Sequence, residues 1–126
     1  MFGQFAAVGI GAALGAWLRW GFSTWLNHRV QHFPLGTLTS NLVGGYLIGV
    51  AVAYFLSRPE LSPHLRLFII TGFLGGLTTF STFSAEVTEL LAREAYANAL
   101  LLAATHLAGS LLLTAAGFAT FRILTS

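Results

Sequence analysis

Cysteine, lysine and aspartate are missing from this chain, and charge of any kind is scarce. Without cysteine there is no disulfide framework and no thiolate metal site. Intramembrane hydrolysis needs a paired acid, or a nucleophile with its base, and four glutamates are the only acids present; an enzyme is not expected. Charged residues make up 8% of the 126, where a soluble domain carries about 25%. Such a chain cannot clothe an apolar core in a solvated surface, so the lipid bilayer is the solvent it suits. The six arginines are scattered and make no basic patch, so no nucleic-acid partner is expected.

What is present is long apolar runs. Four can be read: about 5–26, 35–56, 67–91 and 96–124. Each exceeds the roughly 20 residues that a spanning helix needs. The connections NHRVQHFP, SRPELSPH and AREA are short, and Pro34, Pro59 and Pro63 mark loop-to-helix boundaries. Trp17, Trp20 and Trp25 crowd the end of the first run, as an interfacial aromatic belt does. The first run is longer than a signal-peptide core and lacks a basic lead, so cleavage is not expected. The predicted architecture is one all-α, four-span membrane domain covering 1–126.

The arginines choose no orientation. Arg58, Arg66 and Arg122 fall on one side; Arg29 and Arg93 fall on the other, with Arg19 if it snorkels that way. So balanced a count predicts either a small protein with few charges or a chain that inserts both ways round and pairs with an inverted copy. A four-helix bundle leaves little room for an aqueous path, which also favours a second copy. Gly11/Gly15, Gly45/Gly49 and Gly72/Gly76 permit close helix approach without saying to what.

Three segments carry polar stripes at helical spacing. The second lines up Thr37, Ser40, Asn41, Gly44 and Gly45; the fourth His106, Gly109, Ser110, Thr114 and Gly117; the third Thr79, Thr82 and Glu86, with Phe83 and Phe80 beside them. Helix contacts explain such stripes, and so does a polar path. Asn41 is an amide near mid-span that needs partners. The roles of Glu86 and His106 stay open, while His28, His32 and His64 are expected in loops.

The stretch GFLGGLTTFSTFS, residues 72–84, is the least helix-like part of any span. Gly72, Gly75 and Gly76 are expected to weaken the helix, with Thr78 and Thr79 replacing lost backbone bonds. An interruption at membrane depth survives only inside protein or beside water. Its free carbonyls suit a cation, and the new helix N-terminus near Thr79–Ser81 suits an anion. Phe80 and Phe83 pack, or they line a path: edge-on rings favour an anion, face-on rings a cation.

This stretch closely resembles the third-helix signature of the Fluc (CrcB-type) fluoride channels. The similarity extends along the chain through GxxxGAWLRW (Gly11–Trp20), GTLTSNLVGGYLIG (Gly36–Gly49) and the small-residue fourth helix. The resemblance implies an antiparallel, dual-topology homodimer in a bacterial inner membrane, with two pores passing fluoride passively outward and protecting the cell. It implies that ring edges of Phe80 and Phe83, from different subunits, line each pore. Asn41 is then an amide donor, with hydroxyls from Ser81, Thr82, Ser84 and, more loosely, Ser110. It further implies a structural Na⁺ on the dimer axis, held by main-chain carbonyls of Gly75 and Thr78, and a vestibule role for Arg19. Two rivals remain. A small multidrug-resistance type of proton-coupled exporter would need an acid in the first helix, which holds Arg19 instead. A non-transporting assembly subunit would pass no ions at all.

Overall fold

A computed structural model describes residues 1–126. The chain is entirely helical. Helix α1 spans Phe2–Leu26 and α2 spans Leu35–Ser57. Helix α3 joins an α turn at Pro63–Arg66, a wider π-helical stretch at Leu67–Leu74 and a last α turn at Gly75–Leu77. In the π stretch the Gly75 N–H reaches the Ile70 carbonyl, five residues back. After an interruption, α4 spans Ser81–Ala92 and α5 spans Tyr96–Thr125. Helices α1, α2 and α5, and the stretch Pro63–Ala92 formed by α3 with α4, are each long and apolar enough to cross a membrane. Large apolar side chains such as Leu100, Leu111 and Leu112 lie on the surface, as a bilayer-facing exterior requires. The chain is a multi-pass membrane protein.

The second and fourth spans begin where hydropathy predicts, at Leu35 and Tyr96, but the third begins earlier because a cap rather than apolar content sets its start. The third span starts at Pro63 instead of 67. The Ser62 hydroxyl accepts the His64 N–H at 3.1 Å, and proline occupies the first helical position. His64 therefore sits on this first turn, not in a loop. The α4–α5 turn places Glu94 at φ 60, a left-handed residue that lets the chain reverse in three residues.

Two helix pairs form the bundle: α1 runs along α3, and α2 runs along α5. The glycine motifs make both pairs. A Cβ on Gly15 would run into the Phe73 carbonyl, and one on Gly72 would lie 2.8 Å from the Val8 carbonyl. Gly49 and Gly117 play the same part between α2 and α5, against backbone at Thr114 and Tyr46. All three glycine pairs thus pack within one chain. Leu77 and Leu102 are fully enclosed at the centres of two small apolar clusters.

The predicted interruption of the third span is present, but the glycines do not make it. Gly72, Gly75 and Gly76 are all helical. The helix stops after Leu77, and Thr78 turns extended at φ −94, ψ 155. Helix resumes at Ser81, so the gap is Thr78–Thr79–Phe80, near the middle of the 30-residue span. Gly72 and Gly76 serve the approach of α1 instead.

Candidate functional site

The interruption is held open by hydrogen bonds that replace the helical ladder. The Asn41 side chain on α2 pairs with the Thr79 peptide at both ends. Its Oδ1 accepts the Thr79 N–H at 2.8 Å, and its Nδ2 donates to the Thr79 carbonyl at 2.9 Å. The Thr79 hydroxyl accepts the Thr82 N–H at 3.1 Å, closing the first turn of α4. Thr78 turns its hydroxyl back to the Leu74 carbonyl at 2.8 Å. Its methyl lies where a Cβ on Gly44 would sit.

Other backbone groups here stay unpaired. The carbonyls of Gly75 and Thr78 receive no hydrogen bond, and the Phe80 and Phe83 N–H groups make none. Free carbonyls and free amides thus flank the same interruption. Oxygen dipoles of this kind suit a hard cation, and amides at a helix start suit an anion.

The gap opens into a cavity of about 560 Å³. Among its lining residues are Asn41, Ser110, Gly75, Thr78, Phe80 and Phe83, all expected at a site, together with His106. The two rings meet edge to face, with centroids 5.4 Å apart and planes at 77°. Phe83 turns inward and stacks on His106 at 4.3 Å. Phe80 stays 76% exposed on the protomer surface. Ser81 and Ser84 are also exposed and Thr82 is half-buried; none of these three lines the cavity.

His106, like Glu86, has no role assigned from the sequence. Its spacing, one helical turn before Ser110 and two before Thr114, put it on the polar stripe without showing what it bonds. Its Nδ1 lies 2.9 Å from Asn41 Nδ2. The Thr79 pairing fixes which end of the Asn41 amide is nitrogen, so Nδ1 must accept and the ring proton sits on Nε2. Asn41 therefore spends one N–H on Thr79 and one on His106. His106 is 3% exposed, and its Nε2 has no partner. The buried side-chain donors left over in this protomer are the His106 Nε2–H and the Ser40 hydroxyl, not the Asn41 amide. Thr114 spends its hydroxyl on the Gly45 carbonyl at 2.8 Å.

A second polar cluster lies toward the opposite end of α4. Asn27 Oδ1 accepts the Thr37 N–H at 3.0 Å, and the Thr37 hydroxyl donates to Glu86 Oε2 at 2.6 Å. The other Glu86 oxygen is buried and unpaired. Asn27, Glu86, Glu89, His32 and Arg93 surround a small cavity of about 130 Å³ there. Arg19 lines neither cavity; its Nε donates to the Gly76 carbonyl at 3.0 Å.

Residues 6–118 match the family described as CrcB-like protein, Camphor Resistance (CrcB). Among relatives, the fluoride-specific ion channel FluC of Cupriavidus metallidurans is 60% identical over 120 residues, covering 95% of each chain. FluC of Bordetella pertussis is 58% identical over 121 residues, 96% of this chain and 93% of that one. FluC of Thiobacillus denitrificans is 54% identical over 120 residues, 95% of this chain and 97% of that one. With residues 6–118 matched to the family and relatives of 54–60% identity covering nearly all its length, the chain belongs to the CrcB family.

Proposed function

We propose that this chain is a fluoride-selective ion channel of the inner membrane that lets fluoride leave the cytoplasm passively. One observation carries the reading. The third span is interrupted at Thr78–Phe80, and beside the gap lies a cavity lined by Phe80, Phe83, Ser110 and His106. The relatives' names supply the ion, and the family is one of ion channels rather than enzymes.

Fluoride is small and tightly hydrated, so a narrow path must replace its water with donors. The Ser110 hydroxyl and the free amides at the start of α4 can do so, and the buried His106 Nε2–H can join them once its ring turns toward the path. The edges of Phe80 and Phe83 assist weakly. Several weak sites conduct where one strong site would trap. Asn41 contributes by holding Thr79 and the His106 ring, which keeps the histidine proton on Nε2. The driving force is the membrane potential, about 2.3 kcal/mol per elementary charge per 100 mV. With the interior negative, it expels an anion.

We place an antiparallel second copy over the exposed Phe80, making two pores. Ser81, Thr82 and Ser84, which lie off the cavity in one protomer, would then border the path from the partner's side. The unpaired carbonyls of Gly75 and Thr78 fit a structural Na⁺. Two oxygens per chain make a complete cage only with a second copy. Such an ion would supply fixed positive charge between the protomers.

The test is fluoride efflux from liposomes under a potassium diffusion potential, read with a fluoride electrode. Wild-type protein should pass fluoride and hold back chloride, and Phe83→Ile should lose most of the flux. Equal passage of both halides would defeat the selectivity claim. Passage of no ion would favour an assembly subunit.

A further inference from the structure

We infer that Arg19 is a positioning residue, the cap of the first half of the interrupted span, and that it acts through its Nε–H rather than through its charge. The inference rests on the channel reading above and deepens it. In a continuous helix the Gly76 carbonyl would receive the Phe80 N–H. The interruption removes that donor, and no main-chain group replaces it. Arg19 Nε takes the position at 3.0 Å.

The sequence builds this contact from α1. Gly11 and Gly15 let α1 lie directly on the backbone of α3, at Gly72 and Phe73. Arg19 follows Gly15 by one turn on the same face. It is therefore level with the last turn of α3, and its side chain needs only to reach one carbonyl. A donor at the C-terminal end of a half-helix satisfies an orphan group where water is scarce.

The geometry divides two roles that charge alone confuses. An arginine that draws anions into a vestibule acts through the charge of its guanidinium head, whereas Arg19 makes its one hydrogen bond through Nε. Its bonded atom is the nitrogen attached to Cδ. Glutamine carries an amide nitrogen on the same carbon position and has no charge. Lysine keeps the charge but places its nitrogen one bond farther out. Methionine keeps length and removes both.

The experiment compares wild type, Arg19→Gln, Arg19→Lys and Arg19→Met in liposomes at two salt concentrations. Amide exchange across residues 75–82 is read by mass spectrometry on the same proteins without fluoride. Arg19→Gln should keep slow exchange and near wild-type flux. Arg19→Met should exchange about tenfold faster in the gap, the loss of one hydrogen bond, and lose flux in step. Any other ordering of these two overturns the inference. If Arg19→Met does not assemble, Arg19→Gln against Arg19→Lys decides. Better retention by lysine, with a deficit in the glutamine variant that grows at low salt, marks charge steering and sinks the cap. A wild type that passes no fluoride defeats the channel reading instead. The exchange measurement then still decides the role of Arg19.

Discussion

Replacing Asn41 tests the site most directly, because one side chain makes three of its hydrogen bonds. In Asn41→Ala the Thr79 N–H and C=O both lose their partners in a half-buried place. Each orphaned group costs about 1–3 kcal/mol, so the interrupted geometry weakens by about 2–6 kcal/mol in all. Asn41→Asp differs. One oxygen still accepts the Thr79 N–H, but the other now faces the Thr79 carbonyl and His106 Nδ1 as an acceptor. The histidine relieves this by moving its proton to Nδ1, which leaves Nε2 bare. A fluoride about 4 Å from the new carboxylate would also be repelled by about 4 kcal/mol at an effective dielectric constant of about 20. At 1.36 kcal/mol per tenfold, that term alone slows passage about a thousandfold. The assay is fluoride efflux from liposomes, paired with amide exchange at Thr79 and nitrogen NMR of the His106 ring. The expected order is wild type, then Asn41→Ala, then Asn41→Asp, with the ring proton on Nδ1 in the aspartate form. Wild-type flux and unchanged Thr79 exchange in Asn41→Ala would mean that these bonds do not hold the interruption.

Phe83→Ile should lose the stack on His106 and the edge contact with Phe80, worth about 0.5–1.5 kcal/mol per aromatic pair. Fluoride flux should fall while size-exclusion behaviour stays that of wild type. Gly49→Ala sets a methyl against the Thr114 carbonyl and should destabilise the α2–α5 pair by about 1–3 kcal/mol, seen as a lower melting temperature in detergent. Glu86→Gln keeps an acceptor for the Thr37 hydroxyl and should fold as wild type. Thr37→Val strips a bond from Glu86 and should cost about 1–3 kcal/mol; equal thermal stability of the two variants would contradict this. Purification without sodium should weaken association of two copies if Gly75 and Thr78 hold the ion, as read by light scattering.

Four spans were legible because helix length and apolar runs are local properties. The loop prolines marked starts because they act on their own backbone. The interruption was legible to within a few residues, yet its cause was not. Glycine was expected to break the helix. Gly72 and Gly76 are spent on the approach of α1, a partner some 60 residues away that no local pattern announces. Asn41 was expected to need partners. That both would be Thr79 and His106, so that the amide is used up, follows only from the crossing of α2, α4 and α5. Glu86 stood as an unpaired acid for the same reason, since Thr37 comes beside it only in the folded bundle. The π-helical stretch has no signature in composition; it widens the turn that carries Gly72 past α1.

The glycine motifs have a consequence for how conduction could be regulated. Since α1 against α3 and α2 against α5 consume them all, the proposed twin would have to meet this chain without them, over the face that carries Phe80. If the twin completes the pore, a lone copy cannot insulate a bare ion from acyl tails. Meeting and opening would then be a single event, and sparse expression would leave most copies electrically silent. Dilution in lipid would switch the protein off, with current at low abundance rising as the square of copy number.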